Sequence, residues 1–226
     1  GYSALNQVTT ASNNTAVGSY AGDALSGGSD NTALGYAALS TCATATRNTA
    51  LGRNTLNLAT ASDNTGVGYG CMENLSTGDH NTAIGKGSLN AATTGIRNTV
   101  VGSLAADAIT IGRYNTVMGF EALTTDIDGD YSTAIGYGAL AAQESDSANQ
   151  SVLNTAVGAN AGVALTTGTW NTLIGAYAGG SGAITGNFNT CLGYTSGYAL
   201  TGGANNLFLG TDAVSYTHLR AHETGR

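Results

Sequence analysis

A block of five residues carries the polar and apolar pattern of this chain. It reads polar, Thr, small, aliphatic, Gly: NTAVG from Asn14, NTALG from Asn31 and Asn48, NTAIG from Asn81. Further copies start at Asn64, Asn98, Asn115, Ser132, Asn154, Asn171, Asn189 and Asn206, and the successive spacings are 17, 17, 16, 17, 17, 17, 17, 22, 17, 18 and 17. A short fixed period marks a repeat architecture, and the common α-solenoids need about 33 residues per unit. Seventeen residues suit one β-solenoid coil instead: a short strand, a turn, a second segment and a return. The pattern therefore predicts an all-β solenoid of about twelve coils over residues 1–213. Stacked at roughly 4.8 Å, the coils would make a rod on the order of 55–60 Å long.

The columns of this alignment predict which side chains do what. The fourth position is aliphatic in every copy: Val17, Leu34, Leu51, Val67, Ile84, Val101, Met118, Ile135, Val157, Ile174, Leu192 and Leu209. Read as a hydrophobic ladder, this column is expected to face the core. The third position is Ala in six copies: Ala16, Ala33, Ala50, Ala83, Ala134 and Ala156. By strand alternation it is expected to face outward, where small residues would let another chain pack closely. The fifth position is Gly in all twelve copies: Gly18, Gly35, Gly52, Gly68, Gly85, Gly102, Gly119, Gly136, Gly158, Gly175, Gly193 and Gly210. Such constancy points to a bend with positive φ or a close approach of one coil to the next.

Three residues after that Gly the chain is always small (Ala21, Ala38, Thr55, Cys71, Ser88, Ala105). The next position is either large (Leu39, Leu56, Leu89, Leu123, Leu140) or Gly (Gly22, Gly162, Gly179, Gly197). Where it is Gly, an aliphatic follows at Leu25, Leu165 or Leu200, or, less regularly, at Ile184. One pocket is thus filled from either of two places. Their spacing of three predicts a short 3₁₀ or α turn in each coil. The Asn column suits a hydrogen-bonded ladder and the turn corners, and Thr suits a strand.

Composition agrees with a core of small residues: 34 Gly, no Pro and only 9% charged residues. The net charge of −7 and the lack of a basic cluster argue against nucleic-acid binding. No apolar run approaches the ~18 residues that cross a membrane, so no membrane insertion is expected. Cys42, Cys71 and Cys191 are too scattered for a disulfide framework or a zinc site and read as small buried hydrophobes.

The unit N-T-A-[VIL]-G-x-x-A resembles the head repeats of YadA-like trimeric autotransporter adhesins. It is also similar to the NTAxGYxAL repeats of phage tail fibres, matched at Gly35-Tyr36-Ala37-Ala38-Leu39 and Gly136-Tyr137-Gly138-Ala139-Leu140. The resemblance covers residues 1 to about 213, with a longer unit here than in the YadA-like heads. It implies a trimeric fibre or stalk on a virion or outside a cell, with a glycan or protein receptor on a host surface. Tail-fibre relatives often end in a self-cleaving chaperone domain; this sequence has none, so no cleavage residues are carried over.

Candidate chemistry is sparse. Asp126, Asp128 and Asp130 alternate as in part of a calcium loop, but the distal bidentate Glu is missing and the segment falls at a loop position. Calcium is the one cofactor they suggest. His80 lies in a polar, variable column with Asp30, Arg47, Asp63, Arg97 and Tyr114, expected to face solvent; no catalytic set can be argued, and the chain is not expected to be an enzyme. Tyr2, Tyr36, Tyr69, Phe120, Tyr137 and Tyr194 follow the block's Gly. They could stack on sugars, but covering a solenoid corner accounts for them. The 22-residue spacing places five extra residues within 141–153, and solenoid insertions often mark the binding face.

The expected function is a structural and adhesive fibre segment, homotrimeric and extracellular or virion-borne. The alternative is a monomeric solenoid with a ligand- or ice-binding face. Against ice binding, the Thr column shares strand parity with the aliphatics and would turn inward with them. Residues 214–226 break the pattern, and VSYTHLRAHET resembles a translated sequencing adapter, so this tail is expected to be non-native. The absence of an initiating Met and a truncated copy at Gly1 point to a fragment at both ends.

Overall fold

The computed structural model describes residues 1–180 and 182–213. The expected non-native tail, 214–226, lies outside the described residues. The chain is an all-β solenoid. Twelve three-residue strands lie side by side in sequence order: β1 (Thr15–Val17), β2 (Thr32–Leu34), β3 (Thr49–Leu51), β4 (Thr65–Val67), β5 (Thr82–Ile84), β6 (Thr99–Val101), β7 (Thr116–Met118), β8 (Thr133–Ile135), β9 (Thr155–Val157), β10 (Thr172–Ile174), β11 (Thr190–Leu192) and β12 (Leu207–Leu209). All neighbours are parallel and in register, so aliphatic stacks on aliphatic and Thr on Thr, except that Thr190 meets Leu207 in the last pair. The 22-residue coil keeps this register, pairing Thr133 with Thr155. The rest of each coil also bonds to its neighbours, as in Leu39 N–H to Thr55 O at 3.1 Å and Arg47 N–H to Ser29 O at 3.0 Å.

The strands are short because a bend Gly ends each one. These glycines have φ between 109° and 146°, outside the range of L side chains. At Gly102 a Cβ would also come within 2.6 Å of the Gly119 carbonyl carbon in the next coil. Three further residues in a regular coil turn the chain with positive φ, as at Ala37 (54°), Leu39 (51°) and Arg47 (59°). No helix occurs among the described residues, so the expected helical turn is replaced by successive left-handed bends. The three-residue offset survives as turn hydrogen bonds such as Leu25 N–H to Gly22 O at 3.1 Å.

The interior is filled from three directions. Leu39, Leu56, Leu89, Leu123 and Leu140 come from one turn, while Leu25, Leu75, Ile109, Leu165, Ile184 and Leu200 come three to five residues later; all are buried. The strand's central residue supplies the third wall, and its size compensates for the other two. Gly66 stands where both Met72 and Leu75 are large; Leu173 and Phe208 stand beside Gly162, Gly179 and Gly197.

This arrangement reverses the expected facing of the strands. The Ala column points inward: Ala33, Ala50, Ala83, Ala134 and Ala156 are fully buried. The aliphatic column Val17, Leu34, Leu51, Val67, Ile84, Val101, Met118, Ile135, Val157, Ile174, Leu192 and Leu209 points outward and is no core ladder. Val17 is 55%, Met118 50% and Leu209 58% exposed. The Asn column supplies the reason. Asn31 donates its Nδ2 across the coil to Ala45 O at 2.9 Å, while its Oδ1 accepts the Asn48 N–H at 2.9 Å. The same pattern recurs at Asn81 and Asn98. Asn must therefore sit inside, where these backbone groups would otherwise be buried without partners. Alternation then carries the residue two further on, the Ala, inside with it.

Candidate interaction face

With Asn and Ala turned in, Thr and the aliphatic residue turn out together from every strand but β12, where Leu207 replaces Thr. Neither column holds a charged residue. Twelve strands at ~4.8 Å spacing and three residues at ~3.3 Å give a strip of roughly 550 Å². Including the residue row at each of its two margins raises this to roughly 900 Å². Soluble monomers rarely expose a largest apolar patch above about 300–600 Å².

Both margins are stacked columns. On the side after the bend Gly, Arg53 lies between Tyr36 and Tyr69, its guanidinium carbon 5.5 Å from each ring centre. Phe120 and Tyr137 stack at 5.9 Å. These aromatics remain about half exposed, so they pack on one another along the rod rather than seal a corner. On the side before Asn, Asp63 receives two hydrogen bonds from Arg47, at 2.6 and 2.8 Å. That guanidinium holds the Asp63 carboxyl below its ordinary range. Further along, Tyr114 stacks on Tyr131 at 4.9 Å and Trp170 on Phe188 at 5.9 Å. His80 belongs to this exposed margin, 3.3 Å from its neighbour Asp79.

The three aspartates of the suspected calcium loop do not converge. Asp126 is fully buried, at the interior position that Leu25 or Ile109 takes elsewhere, and not in an exposed loop. It accepts hydrogen bonds from Gln143 Nε2 at 2.6 Å, Gly129 N–H at 3.1 Å and Ser145 N–H at 3.2 Å. Asp128 accepts from the Thr110 hydroxyl at 2.9 Å. Asp130 accepts the Arg113 N–H at 2.7 Å and lies 3.6 Å from its guanidinium; burial nevertheless raises its pKa. Among the described residues no three His, Cys, Asp or Glu side chains gather closely enough to hold a metal ion.

The inserted coil explains this polar interior. Ser132 is the one copy in which the block does not begin with Asn, and its hydroxyl is too short to continue the ladder. Gln143 reaches in from the enlarged loop instead. Its Nε2 donates to Ser132 Oγ at 2.8 Å and its Oε1 accepts from Asn154 Nδ2 at 3.0 Å. The insertion is therefore anchored inside the rod at Gln143, while residues 146–149 are exposed. Sequence reasoning missed Gln143. The available signal was the coincidence of a missing Asn with the one long coil.

Cys42, Cys71 and Cys191 are buried free thiols, and burial raises Cys71 to about 11 and Cys191 to about 12. Among the described residues no helix is long and apolar enough to cross a membrane. No family model, curated protein or solved structure matches the chain.

Proposed function

We propose that this chain is a structural and adhesive segment of an extracellular or virion fibre, assembled as a homotrimer through its outward strand face. The observation that carries this reading is the charge-free Thr and aliphatic strip running over all twelve strands. With its margins the strip offers roughly 900 Å², against the ~800 Å² per partner of a standard stable interface. The repeat unit's likeness to those of tail fibres and trimeric adhesins supports the same reading. Mass in solution by light scattering tests it. A trimer has three times the 22.4 kDa of one chain, about 67 kDa; a 22 kDa species at micromolar concentration overturns the assembly.

A second reading rests on the same strip. Because the Thr column faces outward, the parity objection to an ice- or water-ordering face no longer applies. A monomer in solution that also shows thermal hysteresis would select this alternative.

A further inference from the structure

The inserted coil lines a recess on the side of the rod. Asn149 Oδ1 accepts a hydrogen bond from Arg113 Nη2, 36 residues and two coils away. The loop thereby bridges past the coil that carries Asp128 and Asp130. Beside this bridge lies a cavity of about 290 Å³ lined by Thr94, Ile96, Ile111, Arg113 and Asn149. We propose that this recess is a carbohydrate subsite that takes one neutral hexose-sized ring at the end of a surface glycan. The inference deepens the adhesive reading above and rests on it.

Size, lining and charge point to that ligand. The volume sits near the ~300 Å³ lower limit of small-molecule sites, which admits a single ring and little more. Ile96 and Ile111 supply an apolar wall for the C–H face of a sugar ring. The Thr94 hydroxyl and the Asn149 side-chain NH₂ have no hydrogen-bond partner among the described residues, so both can meet ring hydroxyls. The Arg113 guanidinium adds donors, but Asp130 lies 3.6 Å from it and offsets its charge. With Asp128 nearby and a net charge of −7, the surroundings disfavour an anionic ligand. The loop's inner end is held by Gln143, which donates to Asp126 and Ser132 inside the rod.

Saturation-transfer NMR on the full chain tests the proposal, with D-glucose, D-galactose, N-acetylglucosamine and, as the anionic comparison, N-acetylneuraminic acid. At least one neutral sugar should saturate in the millimolar range typical of weak sites. Asn149→Ala and the cavity-filling Thr94→Trp should each weaken it about fivefold or more. Both positions are exposed, and circular dichroism checks that the fold persists. Absence of saturation by every neutral sugar, saturation by N-acetylneuraminic acid alone, or equal binding in both variants overturns the subsite. The mass of the same sample separates the two ideas. A trimer that binds no sugar refutes only the subsite, and a monomer that binds sugar refutes only the assembly.

Discussion

Replacing Gln143 with Ala should destabilise the rod locally and more than any other change in the inserted loop. The side chain is fully buried and makes three hydrogen bonds, to Asp126, Ser132 and Asn154. Truncation leaves Asp126 Oδ2 and Ser132 Oγ without those bonds. Asn154 Nδ2 keeps its other bond, to Gly168 O at 2.7 Å. A buried polar group left unsatisfied costs about 1–3 kcal/mol, at the upper end when it is a carboxylate. Losing the one buried methylene, Cγ, adds roughly 0.8 kcal/mol. Water entering the polar void offsets part of this, so the net loss should be about 2–4 kcal/mol. Solenoid coils contact only their neighbours, so a single unfolding midpoint can hide a local opening. Amide hydrogen exchange is therefore the better assay, read at Thr133 N–H, which bonds to Asn154 O at 2.8 Å. Its protection should fall while that of Thr32 N–H, far along the rod, stays unchanged. Ser132→Asn combined with Gln143→Ala should recover part of the loss by restoring the regular ladder. A Gln143→Ala variant within about 0.5 kcal/mol of wild type, with unchanged exchange at Thr133, would refute the reasoning, since that is the scatter of neutral surface changes.

The remaining predictions test other parts of the rod. Gly102→Ala should cost about 3–5 kcal/mol, from a φ of 145° and overlap with the next coil, whereas Gly27→Ala, which meets only ordinary contacts, should be nearly neutral by chemical denaturation. Ile84→Lys with Ile174→Lys should lower the solution mass from trimer to monomer while changing coil stability by less than about 1 kcal/mol, because both side chains are exposed in the single chain. Asp130 titrates above its unfolded value of about 3.9, so the folded state takes up a proton first as pH falls. Relative to Asp130→Asn, the wild type should therefore gain stability as pH drops through the raised folded value toward 3.9; an unchanged difference in denaturation free energy would contradict this. Iodoacetamide at pH 8 should leave the folded protein unlabelled and modify all three cysteines in denaturant, as read by mass spectrometry.

Much of the molecule is legible in the sequence. The period of 17 selects a β-solenoid, and the twelve glycines mark the positive-φ bends, at all but the last of which, Gly210, a Cβ would also collide with the next coil. The exchange of bulk between positions such as Leu39 and Leu25 identifies two interior sites correctly, since both are buried. The same compensation was readable one column over. Gly66 coincides with Met72 and Leu75, and Phe208 with Gly197, and residues that trade volume share one cavity. That signal outweighs hydrophobicity, which favours placing the aliphatic column inside. The inserted coil was visible as five extra residues, but not its anchorage, because Gln143 meets Ser132 and Asn154 only when the coil closes.

The sequence alone sorts each strand into two sets, Asn with Ala and Thr with the aliphatic, because side chains alternate at a period of two. Alternation by itself does not say which set faces inward, since a strand of three residues is symmetrical to that rule. Tertiary structure decides the matter through two demands. Where a turn supplies a leucine, as at Leu39, Leu56, Leu89 and Leu140, the strand wall has room for little more than a methyl group, as at Ala33, Ala50, Ala83 and Ala134. The Asn amides must also reach carbonyls across the coil, as from Asn31 to Ala45. Both demands turn Ala inward, and what remains outside is the strip of Thr and aliphatic side chains on which the function proposed here depends.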